Sequence, residues 1–135
     1  MEIKQSTLKN GLRIITAERP QIETVSLGVW VNTGAAAESE ADNGISHFIE
    51  HMVFKGTKKR NSLQISEDIE NVGGATNAYT SRHFTCFYAK MLKDDLELAT
   101  DVICDFITDP TFDAAEMSKE KEVVVQEIKQ SADAP

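Results

Sequence analysis

The chain has 135 residues, 41% of them hydrophobic and 27% charged, a balance that suits an ordinary globular domain with a real core. Its formal net charge of −8 argues against nucleic acid as a partner and says nothing of substrate. No run approaches the roughly 18 apolar residues of a membrane span, and the start lacks a basic stretch followed by an apolar one, so no membrane association or secretory signal is expected. The cytoplasm is the expected setting, with an organelle matrix as the alternative.

Residues 3–17 place Asn10-Gly11 between two β-rich runs, which predicts a hairpin. After Pro20, Val25 to Val31 reads as a strand with one buried face. Small residues, Thr33-Gly34-Ala35-Ala36-Ala37, then lead into the acidic Glu38-Ser39-Glu40. Asp42-Asn43-Gly44 offers a cap for a helix over Ile45 to Lys55 that ends at Gly56. Ile45, Phe48, Ile49, Met52 and Val53 have helical apolar spacing there. Ser62 is expected to cap a short second helix with Leu63, Ile65, Ile69 and Val72 inward, stopped by Gly73-Gly74.

Two strands are predicted next, Ala75 to Thr80 and Phe84 to Lys90. A third helix starts at Asp94-Asp95, where carboxylates suit the positive end of the helix dipole. It aligns Leu96, Ala99, Ile103 and Phe106 and halts at Asp109-Pro110. A fourth, highly charged helix runs from about Asp113 to Lys129. The expected class is α+β, a mostly antiparallel sheet flanked by helices, forming one domain or part of one. Cys86 in a strand and Cys104 on the apolar side of the third helix have no partner at metal spacing and read as buried free thiols.

Two of the three histidines lie in His47-Phe48-Ile49-Glu50-His51. On a helix, positions i and i+4 project from one face, so both imidazoles can reach a single metal ion, and Glu50 leans over the same face. A catalytic zinc site keeps three protein ligands and an open position, and two histidines with a carboxylate are one such set. That leaves Glu50 for base work. The motif is the inverted form of His-Glu-x-x-His. Spacing alone is equally compatible with two partly exposed histidines and a surface glutamate. A third ligand can come from Glu116, Glu120, Glu122 or Glu127 on the fourth helix. Glu120 and Glu127 fall nearly on one stripe, and Val123, Val124, Val125 and Ile128 put Glu127 in apolar company.

His47 to Thr57 resembles the active-site helix of the M16 metallopeptidases, the family of pitrilysin, insulin-degrading enzyme and the mitochondrial processing peptidases. The resemblance extends through Asn10 to Arg13, Val31 to Gly34, Gly73 to Thr80 and Glu120 to Ile128, in order along nearly the whole chain, and leans towards the processing peptidases. It implies zinc held by His47, His51 and Glu127, with Glu50 activating water. It implies also that Glu120 supports the site without binding metal, and that Asn77 and Ala78 belong to an edge strand holding peptide substrate in extended form.

The same resemblance casts residues 1–135 as the N-terminal zinc-binding part of a larger peptidase domain. Family enzymes are several times longer and close two related halves around the substrate. A C-terminal half, from the same chain or a partner subunit, is therefore expected to complete the site, an oligomer is compatible, and the isolated 135 residues are expected to be inactive. His83, where relatives often differ, is expected in a surface turn. Two alternatives stand beside the zinc endopeptidase reading. One is a non-catalytic binding or assembly subunit, which the intact motif opposes; the other is a structural zinc site, which lacks a fourth ligand.

Overall fold

A computed structural model describes residues 2–133. Strands β1 (Glu2–Thr7) and β2 (Arg13–Glu18) pair antiparallel, from Glu2 opposite Glu18 to Thr7 opposite Arg13. The predicted hairpin thus forms, but its loop is Leu8 to Leu12, longer than a two-residue Asn-Gly turn. Gly11 takes a φ of 88°, and the Leu12 N–H donates to Asn10 Oδ1 at 3.1 Å. Ile3, Ile14 and Ile15 stay exposed, so these strands make a sheet of their own and add nothing to the core.

Alternation of apolar and polar side chains builds the second sheet. Strands β3 (Thr24–Val31), β4 (Ala75–Thr80) and β5 (Thr85–Leu92) are all antiparallel, in the order β3-β5-β4. One face sends Val25, Leu27, Val29, Ala78, Phe87, Ala89 and Met91 into the core. β4 pairs with β5 alone and is therefore an edge strand. Gly34, just after β3, is buried because the β4–β5 turn comes so close: a Cβ there would sit 2.2 Å from the Ser81 carbonyl oxygen. The turn itself carries His83, which is exposed as expected.

Three α-helices cover this sheet, α1 (Ile45–Met52), α2 (Ser62–Glu70) and α3 (Leu96–Thr108), and a fourth, α4 (Ala114–Asp133), packs on α1. From α3, Ala99, Val102, Ile103 and Phe106 are fully buried, and Ile65 and Ile69 join them from α2. Each large side chain sequestered there contributes on the order of 1.5–3 kcal/mol. Cys86 is buried as expected, but Cys104 is exposed. The buried stripe of α3 follows positions 99, 102, 103 and 106, and one step of about 100° past Ile103 turns Cys104 to solvent. Leu63 points away from Ile65 and Ile69 for the same reason and is 63% exposed.

Helix α1 starts at Ile45 as expected, but the side chains that cap the helices differ from expectation. Asn61, not Ser62, caps α2: its Oδ1 accepts from the Gln64 N–H at 2.8 Å while Gln64 Oε1 accepts from the Asn61 N–H at 2.9 Å, a reciprocal capping box. At α1 the cap position is Gly44, at φ 92°, and neither Asp42 nor Asn43 caps the helix. Glu38 does so from outside, accepting from the N–H groups of Gly44 at 2.7 Å and Ser46 at 2.8 Å. Those two hydrogen bonds hold its carboxyl below the usual carboxylate range. After Met52 the chain tightens into a 3₁₀ turn, Val53–Lys55, and leaves through Gly56 at φ 137°, a conformation that favours glycine.

Just beyond, Arg60 is 7% exposed and gathers three carboxylates. Its guanidinium reaches Asp68 at 2.7 Å, Asp101 at 2.5 Å and Asp105 at 2.9 Å, tying α2 to α3. Lys59 adds a 2.6 Å pair to Asp101, and Thr57 donates to Asp105 at 2.8 Å. Burial would push the guanidinium pKa down, but the carboxylates outweigh it and hold the group charged.

Candidate metal centre

The helical repeat sets His47, His51 and Lys55 at i, i+4 and i+8, one stripe of α1 and its 3₁₀ extension. The facing stripe comes from α4, where Glu120 and Glu127 stand two turns apart. The pairing is antiparallel: Glu120 meets His51 and Lys55, while Glu127 lies opposite His47 and His51.

The two Nε2 atoms of His47 and His51 face each other at 3.1 Å, with the rings 83° apart in plane. Glu127 Oε2 lies 3.7 Å from His47 Nε2 and 3.5 Å from His51 Nε2. His47, His51 and Glu127 are the group of potential ligands found among the described residues. Tetrahedral zinc with ligands at about 2.0–2.2 Å separates those ligands by about 3.3–3.6 Å, so this donor set fits zinc with little movement. Burial is lopsided. His51 is 19% exposed, His47 38% and Glu127 46%, which leaves one side of the trio open to solvent.

On the closed side, Glu120 is 6% exposed. Its Oε1 accepts from His51 Nδ1 at 2.8 Å, and its Oε2 pairs with Lys55 Nζ at 2.6 Å. Burial would raise the Glu120 pKa, but the hydrogen bonds from Lys55 and His51 overcome it and hold the carboxyl below its ordinary value. A carboxylate on Nδ1 fixes the tautomer that leaves Nε2 free as a ligand. Glu50 lies off the ligand stripe, and its carboxylate accepts a short hydrogen bond from Thr80 Oγ1 at the end of β4. Further along β4, the Ala78 N–H donates to the side chain of its neighbour Asn77 at 2.8 Å.

The structure therefore brings together four of the residues singled out from sequence, His47, His51, Glu120 and Glu127, while Glu50, on the same helix as the histidines, contacts Thr80. Of the expected apolar company of Glu127, Val124 is buried, but Val123, Val125 and Ile128 are 41–57% exposed, and the two imidazoles face its carboxylate. Glu116 and Glu122, the other candidates, do not join the group. Sequence reading missed Lys55, Thr80 and Glu38. Lys55 was discoverable as the next residue at i+4 after His51; Thr80 and Glu38 come from elements that only the fold brings near. None of the described helices is long and apolar enough to cross a membrane.

Comparison with known proteins identifies the family. Residues 13–135 match the insulinase family, peptidase family M16. The chain is 46% identical over 133 residues to the zinc protease YmxG of Bacillus subtilis, covering 98% of this chain and 32% of that protein. It is 40% identical over 133 residues to a zinc protease of Streptomyces coelicolor, covering 98% of this chain and 29% of the relative. Against the β subunit of the rat mitochondrial-processing peptidase it is 42% identical over 129 residues, covering 96% and 26%. The chain spans about a quarter to a third of the length of these curated relatives. With a family match over most of its length and homology throughout, the chain belongs to peptidase family M16, the insulinase family.

Proposed function

We propose that this chain supplies the metal-binding part of a zinc endopeptidase that cleaves peptides held as an added β-strand. The observation that carries the reading is the convergence of His47 Nε2, His51 Nε2 and Glu127 Oε2 within 3.7 Å of one another. In it, His47, His51 and Glu127 hold zinc, Glu120 orients His51, and Glu50 is the base. Residues 1–135 then form the N-terminal zinc-binding part of the domain. Relatives named as zinc proteases support zinc as the cofactor.

When bound, zinc supplies Lewis-acid activation of water and of the scissile carbonyl. The protein's share is positioning and proton transfer. Thr80 holds the Glu50 carboxylate by one oxygen, leaving the other to accept the proton of the attacking water and deliver it to the departing amine. Water reaches the site from the side where His47 and Glu127 are half-exposed. β4 ends at that same Thr80, so a peptide added to its free edge runs directly towards Glu50. Asn77 and Ala78 lie on this edge. The Asn77 amide oxygen now takes the Ala78 N–H, and a substrate carbonyl would replace it. Main-chain pairing of this kind accepts many side chains, so specificity is assigned to the remainder of the enzyme. That remainder, a second half in the same polypeptide or a partner subunit, closes over the substrate; relatives named as a β subunit support the second arrangement. Cytoplasm and organelle matrix both suit the reading, and the mitochondrial relatives bear on the latter.

The test is hydrolysis of a presequence-like peptide by the intact protein, wild type beside Glu50→Gln. The reading expects zinc-dependent cleavage that Glu50→Gln abolishes while zinc content stays unchanged. Zinc-loaded wild type without cleavage, or undiminished cleavage by Glu50→Gln, would overturn it.

A further inference from the structure

We propose that Lys55 is a positioning residue of the metal centre, fixing the ring of His51 through Glu120 so that Nε2 faces His47 and Glu127. The inference rests on the metal-site reading above and adds to it a residue outside the ligands and their direct partners.

The geometry is a chain of two contacts. Lys55 Nζ lies 2.6 Å from Glu120 Oε2, and the other oxygen of the same carboxylate lies 2.8 Å from His51 Nδ1. Both ends of the chain sit on one rigid element, since His51 and Lys55 are one helical repeat apart. Glu120 alone comes from α4. One carboxylate thus bridges two donors of α1 and its extension, one on each oxygen. With Glu120 only 6% exposed, water is a poor substitute for either donor.

Removing the ammonium would leave Oε2 buried without a donor. The carboxylate would then rotate or withdraw towards solvent, and the Nδ1 contact that orients the ring would loosen. The imidazole of His51 is the most buried of the three candidate ligands, so its orientation is the one the fold can control. Among the described residues Lys55 has no ion pair besides Glu120, and its side chain is 31% exposed, so its charge is directed inward at this carboxylate. The turn that places it is specific. Gly56 at φ 137° breaks the helix immediately after Lys55, keeping it the last residue of the stripe.

The experiment is zinc affinity of the intact protein, measured by competition with a chromophoric chelator, for wild type, Lys55→Met and Lys55→Arg. Partners that orient a metal-binding histidine typically change affinity by about 10–100-fold, and a loss in that range is expected for Lys55→Met. Lys55→Arg, which keeps a cation at the carboxylate, is expected to recover most of it. In the metal-free protein, the slowly exchanging Nδ1–H proton resonance of His51 should be present in wild type and lost in Lys55→Met. A folded Lys55→Met with wild-type zinc affinity and an unchanged His51 resonance overturns the role of Lys55 and leaves the metal site standing. Absence of zinc binding in folded wild type instead removes the metal-site reading itself. If Lys55→Met does not fold, Lys55→Gln carries the same two measurements.

Discussion

Two clusters of charged side chains flank the 3₁₀ turn at Val53–Lys55, and they are built on opposite terms. Around Arg60, the cation is the protein's own: a buried guanidinium takes three carboxylates, and Lys59 reinforces one of them. Around His51, the carboxylate of Glu120 takes a single ammonium, Lys55, and that of Glu127 faces two imidazoles whose Nε2 atoms point at each other. The first cluster is complete and fastens α2 to α3. The second has donor atoms converging on one point and a surplus of negative charge there, which is the condition a divalent cation satisfies. Structural clusters close on themselves; sites leave a valence open.

The comparison breaks most visibly at Arg60. Arg60→Met leaves Asp105 buried without its cation and should lower unfolding free energy by about 3–5 kcal/mol in urea titrations. Zinc affinity of the molecules that remain folded should be unchanged, because no ligand touches Arg60. Loss of zinc binding in folded Arg60→Met would mean the two clusters are one. A second contrast lies within the site. Thr80→Val removes the hydroxyl that steadies Glu50, and kcat should fall about 10-fold or more, with KM and zinc content little changed. A change confined to KM would assign Thr80 to substrate binding instead.

How far these clusters could be read from sequence differs for a physical reason. His47 and His51 are one helical repeat apart, so the period of the helix alone brings them to one stripe, with Glu50 beside it in sequence. Glu127 is 76 residues from His51, and only the packing of α4 on α1 selects it over Glu116 and Glu122; here the family resemblance supplied what spacing left open. The Arg60 cluster escaped notice entirely, since Arg60, Asp68, Asp101 and Asp105 look like ordinary surface charges until α2 and α3 meet. Elements were legible where local chemistry was strong, as at Gly73-Gly74 and Asp109-Pro110. Caps failed where a more distant group did the work: Glu38 reaches across to α1, and Asn61 takes the role expected of Ser62. Exposed Cys104 shows the limit of reading a helix stripe by composition without its phase.

Smaller effects sharpen the same contrast. Asn61→Ala deletes the capping box of α2, beside the closed cluster, and should cost about 1 kcal/mol in urea without affecting zinc. The smallest effect is in pH. Asp101 has its carboxyl held below the usual range, first by Lys59 and then by Arg60. Its folded form therefore releases the proton more readily than the unfolded chain does. The stabilisation is fully present above the unfolded value of about 3.9 and disappears as pH falls through the lower folded value. Wild type should accordingly exceed Asp101→Asn in urea stability at neutral pH and lose that lead on acidification below about pH 4. A lead that persists unchanged in acid would show that charge is not what Asp101 contributes.

Zinc stoichiometry with affinity tests most directly whether His47, His51 and Glu127 form one metal site. Wild type should bind one zinc per chain, and His51→Ala and Glu127→Gln, both still folded, should each lose affinity by more than the about 10–100-fold expected for a supporting partner. A folded wild type that takes up no zinc, or a Glu127→Gln variant that binds it as tightly as wild type, would contradict the account.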